Sequence, residues 1–174
     1  MPDRLTQFKK RTMKYIILGI TFGISLSFIS WIVGMILNTI LAKTQFYSTL
    51  SNLNYIPSET INKQIGIGYF KWIVKNTFFK FFNQKIKVAN KKTDFIELRK
   101  EMTNAEISHL IAFIFVLLLV LYCSFTVSYV FGTMILIVNI LMNLYPALLQ
   151  QENKRRIDKL INRQAKIRAT NALA

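Results

Sequence analysis

The chain has one histidine, His109, and one cysteine, Cys123. Any imidazole base, and any histidine metal ligand, is therefore His109. It stands three residues after Glu106, in Thr103-Asn-Ala-Glu106-Ile-Ser-His109. Residues three apart share one face of a helix. A carboxylate there holds an imidazole in one tautomer and raises its basicity, which is what a general base needs. A second reading stands beside this one. Thr103-x-x-Glu106 ahead of an apolar run is also a capping-box pattern, in which Glu106 serves a helix start and His109 sits at headgroup level. A lone Glu–His pair lacks the third ligand of a catalytic zinc site, so no metal is expected. One cysteine gives no disulfide framework.

A second polar group lies further on. Asn139, Asn143, Pro146 and Gln150 fall on one helical face. Hydrogen bonding between membrane helices, about 0.6 kcal/mol per bond, accounts for Asn139. Asn143 and Gln150 fit either that role or a ligand-facing one. The run Gln150-Gln-Glu-Asn153-Lys154-Arg155-Arg156 then sets amides beside guanidinium groups. Such groups suit a phosphate-bearing ligand, such as a lipid headgroup or coenzyme A. Anchoring at a cytoplasmic membrane face explains the charges but not the amides.

The elements that must position these residues follow from composition. Of 174 residues, 52% are apolar and 18% charged, with 23 Lys and Arg against 8 Asp and Glu, net +15. A soluble domain carries about 25% charge of mixed sign. Here the basic residues are spread along the flanks of apolar tracts, which speaks against a nucleic-acid binder and for a small integral membrane protein. Tyr15 to Ala42 carries no charge. It exceeds both the span minimum of about 20 residues and a signal-peptide core of about 7–15, so it reads as an uncleaved first span. Gly19-x-x-x-Gly23 within it allows close helix approach. Ile107 to Gln151 is also uncharged and divides into spans at 107–123 and 131–150, with a turn at Ser124 to Gly132.

Between these tracts, 44–63 reads as a loop. The segment 65–84 is aromatic, with Lys71, Lys75 and Lys80. Positive-inside counting puts both termini and 85–106 in the cytoplasm of a bacterial cell, which favours a fourth passage at 65–84 over a re-entrant or in-plane segment. Lys71 and Lys75 would then lie at depth, at about 3 kcal/mol each, and need a polar cavity or an anionic ligand. Asp94 is the expected N-cap of a helix leading to 107, with Glu97 as its partner. The basic tail 152–174 carries Ile157, Leu160, Ile161 and Ile167 as one stripe, fit for an anionic leaflet or for a solvated helix. The expected fold is an all-α membrane bundle forming one domain, 1–174, with membrane lipids as its surroundings.

Met102 to Leu110 (MTNAEISHL) and Asn143 to Leu160 (NLYPALLQQENKRRIDKL) together resemble the glycosyl-4,4'-diaponeurosporenoate acyltransferase family, small membrane proteins of carotenoid biosynthesis. Ala105, Glu106 and His109 match the family's first block. Asn143, Pro146, Gln150, Asn153 and Arg156 match its second, and Lys154 replaces an arginine. Asn104, Leu110 and Gln151-Glu152 depart from the pattern. The resemblance covers about 65–160. It implies fatty acyl transfer, from acyl-CoA or another donor, to a sugar hydroxyl of a glycosylated carotenoid or glycolipid. In that scheme Glu106 and His109 are catalytic. Asn143, Gln150, Asn153, Lys154 and Arg156 bind substrate, with Arg155 beside Lys154 and Arg156 on the donor's phosphates. No cofactor is implied. A non-enzymatic subunit or assembly factor of a membrane complex is the competing reading, and a homo-oligomer fits either.

Overall fold

The computed structural model describes residues 4–56, 59–77 and 94–172. Its elements are α1 (Arg4–Leu41), α2 (Phe46–Ser51), α3 (Glu59–Gln64), α4 (Ile67–Asn76), α5 (Phe95–Thr126), α6 (Tyr129–Asn139), a π turn (Ile140–Leu144) and α7 (Tyr145–Ala172). There is no strand among the described residues. Three helical runs, Arg4–Leu41, Phe95–Thr126 and Tyr129–Asn171, are long and apolar enough to cross a bilayer. The expected all-α class with three spans is what forms.

Several expected boundaries are corrected. The first helix begins at Arg4, ahead of the uncharged tract, because Lys and Arg are good helix formers and need no burial. The second begins at Phe95, not at 107. Asp94 Oδ1 accepts the backbone N–H of Ile96 at 2.8 Å and of Glu97 at 3.3 Å, so the cap lies where the sequence places it. Thr103 is therefore inside the helix, its hydroxyl donating to the Arg99 carbonyl at 2.9 Å, and the capping-box reading of Glu106 fails. The turn between the second and third helices narrows to Val127–Ser128. Gly132 is helical; a Cβ there would collide with the Ser124 hydroxyl. The tail is not a separate helix but continues the third run to Ala172. The 44–63 loop contains α2 and α3. At ten residues α4 rises about 15 Å, half of the roughly 30 Å hydrocarbon core; residues 78–84 of the aromatic segment, with Lys80, and 85–93 of the basic stretch lie outside the described residues.

By internal packing the chain forms two units: Met1–Tyr47 with Ile107–Pro146, and Ser48–Glu106 with Ala147–Ala174. The first has the inverted amphipathy of a membrane bundle. Along α1 the buried residues are Gly19, Gly23, Leu26, Ser27, Ser30, Gly34 and Asn38, while Ile17, Ile24, Ile32, Ile36 and Ile40 are exposed. Lipid solvates large apolar side chains as well as protein does, so the interface goes to small residues that let backbones approach. A Cβ on Gly19 would stand 2.7 Å from Met134 Cβ, and one on Gly23 3.0 Å from Val138 Cβ; the Gly-x-x-x-Gly expectation thus finds its partner in α6. Leu26, Val116, Val120 and Ile135 form the core of this unit.

The second unit is held by polar groups. Arg99 Nε donates to Asp158 Oδ1 at 2.5 Å, and its Nη2 donates to Asn52 Oδ1 at 3.2 Å. Between α3 and α4 the chain turns at Gly66, with φ 76°, a left-handed conformation that favours glycine.

Candidate functional site

In the first unit the sequence-selected residues His109 and Asn143 come together. Asn143 sits in the π turn, fully buried. Its Nδ2 donates to Asn139 Oδ1 at 2.8 Å and to Ser30 Oγ at 3.2 Å. Asn139 Nδ2 in turn donates to the Phe113 carbonyl at 3.0 Å, the structural role the sequence assigns it. Ser30 Oγ donates to the Ser27 carbonyl at 2.7 Å. Asn143 interacts with the His109 imidazole. His109 Nδ1 and Asn143 Oδ1 are both buried, and neither has a well-formed hydrogen bond among the described residues. An imidazole nitrogen and an amide oxygen thus lie buried with no well-formed partner beyond their mutual interaction, where an unmet polar group is costly.

Trp31 fixes the other side of the imidazole. The two rings meet edge to face, 5.9 Å between centroids at 88°. Trp31 Nε1 donates to the Met142 carbonyl at 3.3 Å. The residue four ahead of that carbonyl is Pro146, which has no N–H to return the α-helical bond. The same proline stands at the π turn, where the Tyr145 N–H reaches back to the Ile140 carbonyl. π turns are rare and concentrate at functional sites. Sequence reasoning marks Pro146 but not Trp31; the i−4 carbonyl that a proline orphans was the available signal.

In the second unit Glu106, Gln151 and Lys154 form a buried cluster. Lys154 Nζ lies 2.6 Å from Glu106 Oε2, with both side chains under 5% exposed. Gln151 Nε2 donates to Glu106 Oε1 at 3.5 Å, and Gln151 Oε1 accepts the Ile56 N–H at 3.3 Å. Lys154 also donates to the carbonyls of Ser51 and Leu53 at 3.1 and 3.3 Å. The Tyr55 hydroxyl bonds Glu106. Burial first, then the Glu106 charge and that hydrogen bond, push the Tyr55 phenol above its ordinary range, so the hydroxyl stays protonated and donating. Arg155 donates to the Ile56 carbonyl. Residues 51–56 are thereby held by α7 through their own backbone.

The remaining expected site residues also fall in this unit. Gln150 is half-buried, and its Oε1 accepts from Asn153 Nδ2 at 3.4 Å. The buried amide is instead Gln151, one position on; the periodicity that selects Gln150 assumes an α-helix throughout, and the π turn adds a residue. Arg156 pairs with Glu152 one helical turn away and, with Arg155, lines a pocket of about 900 Å³. Glu106 and His109, neighbours on α5, thus have described partners in different units: Lys154, Gln151 and Tyr55 for the acid, Asn143 and Trp31 for the imidazole.

No curated protein and no solved structure matches this chain. A family profile does, over residues 43–163. That range holds α5, the π turn and most of α7, and with them every residue of the two polar clusters just described except Ser27, Ser30 and Trp31 of α1. The chain belongs to the glycosyl-4,4'-diaponeurosporenoate acyltransferase family.

Proposed function

We propose that this protein is a membrane-bound acyltransferase that moves a fatty acyl group onto a sugar hydroxyl of a glycosylated carotenoid or glycolipid. The family match over most of the chain carries the reaction class. The observation that supports a site is the buried Nδ1 of the only histidine, which has no well-formed hydrogen bond among the described residues, on a ring set against Trp31 and Asn143. In this reading Nδ1 takes the proton of the acceptor hydroxyl. The hydroxyl oxygen attacks the acyl carbonyl carbon, the new ester bond forms, and the bond to the donor's leaving group breaks. His109 returns the proton to that group. Asn143 Oδ1 holds the acceptor hydroxyl or steadies the protonated ring.

Glu106 is a positioning residue in this scheme: its ion pair with Lys154 fixes α5 in register within its own unit. Arg156, with Gln150 and Asn153, is assigned to substrate binding. The long apolar faces of the spans keep lipid chains in the bilayer, and the basic flanks favour a bacterial inner membrane; both termini are cytoplasmic where the 65–84 segment completes a fourth passage.

The test is comparative lipid and pigment mass spectrometry of cells with and without the gene. The expected difference is one fatty acyl chain on a glycosylated species. Identical glycolipid and pigment profiles contradict the proposal.

A further inference from the structure

The 900 Å³ pocket of the second unit is lined from three helices: Asn62 and Lys63 of α3, Trp72 of α4, and Arg155, Arg156 and Lys159 of α7. Two of these carry unmet polar atoms. Asn62 is 5% exposed, and neither its Oδ1 nor its Nδ2 has a hydrogen-bond partner among the described residues. Arg155 spends one nitrogen on the Ile56 carbonyl, but its Nη2 is buried and unpartnered. Buried amide and guanidinium groups are almost always satisfied, so where they are not, a bound water, ion or ligand is needed to meet them.

The charge around the pocket gives that ligand its sign. Among the described residues Lys63, Arg155, Arg156 and Lys159 line it against a single acid, Glu152, which pairs with Arg156. Burial, then the charge of Arg156, lowers the Lys71 pKa; Glu152 opposes and Lys75 adds. Cations this crowded are relieved by an anion. Planar guanidinium forks match phosphate oxygens in particular. The size gives the rest. A volume within the range of about 300–1,000 Å³ that holds organic ligands is far more than an inorganic anion fills. Trp72, 65% exposed, adds an aromatic face of the kind on which a nucleobase stacks.

We propose that this pocket binds the phosphate-bearing end of an organic phosphate ester, with its phosphate oxygens on Arg155, Arg156 and Lys159 and its polar edge on Asn62. Two sources share that chemistry: the nucleotide end of a coenzyme A thioester and the headgroup of an anionic phospholipid. As the acyl-donor subsite it rests on the transfer reaction proposed above; as a phosphate site it does not, and its test reads binding without turnover.

The full-length protein in neutral detergent is titrated calorimetrically with coenzyme A, with pantetheine, which lacks the phosphates, and with dihexanoyl phosphatidylglycerol. At least one phosphate probe binds, and pantetheine binds at least tenfold more weakly. Arg156→Gln, at a side chain 56% exposed and so harmless to folding, weakens the phosphate probe by about tenfold or more. Gly68→Leu is the independent variant. A Cβ at Gly68 meets nothing within 4 Å, so the fold accepts it, but the added side chain crowds the pocket lining and removes binding. Coenzyme A binding alone identifies the nucleotide source; phosphatidylglycerol binding alone identifies the headgroup. The proposal is overturned if neither probe binds, if pantetheine matches coenzyme A, or if both variants bind as the wild type does.

Discussion

The two units bury polar groups by opposite means. In the unit of 1–47 and 107–146, what is buried is neutral: asparagines, serines and one imidazole, spaced among glycines. In the unit of 48–106 and 147–174 a charged pair is buried beside neutral Asn62, Thr103 and Gln151: Glu106 on Lys154, inside a ring of backbone carbonyls and amides. A bundle in lipid gains little from sequestering apolar surface and holds together through close packing and modest amide bonds. The other unit, with a basic and polar α7, closes its structure through charge and backbone capture. Among the described residues the one imidazole lies in the first unit and the crowded cations line a pocket of the second, which separates the candidate base from the candidate anion site.

The contrast makes ordered predictions for stability in detergent, read by thermal unfolding. The largest effect belongs to the buried pair. Glu106→Ala or Lys154→Ala alone strands a charge and costs about 3–5 kcal/mol, whereas Glu106→Leu with Lys154→Met together costs far less. Equal costs for single and double variants break the distinction between the units. Next comes packing in the neutral unit. Gly34→Leu sets a side chain against the Ser108 carbonyl and costs about 1–3 kcal/mol; an unchanged midpoint shows that α1 does not approach so closely. Asn139→Ala removes one interhelical amide bond, to the Phe113 carbonyl, and costs about 0.6–1.7 kcal/mol, below the whole range of the ion-pair effect. Smallest is Asp158→Asn at the part-exposed pair with Arg99, below about 1 kcal/mol and further reduced by salt. A cost above that of Asn139→Ala reverses the assigned order.

Much of this was legible from the chain. Charge-free tracts give the three spans, Asp94 announces its cap, and Gly19 and Gly23 announce a close helix contact, because each is a local or periodic signal. What escaped was long-range or broke the period. Nothing near Glu106 in sequence announces that its cation is Lys154 or that Tyr55 donates to it. Thr103 looks like a cap because the pattern has no sight of the helix already running since Phe95. An unbroken α-helical period points to Gln150, and the π turn at Ile140–Leu144 slips the register by one, so that Gln151 is the buried amide. Asn62 and Arg155 carry no motif at all; they stand out only once burial shows their polar atoms unmet.

The central claim is that His109 carries the proton in acyl transfer. Its most direct test is the acylated glycolipid or pigment made in membranes containing wild-type protein or His109→Gln at matched abundance, quantified by mass spectrometry. The account predicts that His109→Gln, which keeps the volume and a hydrogen-bonding end but no basic nitrogen, lowers the acylated product by about 100-fold or more. Product formed at the wild-type level by His109→Gln would contradict it.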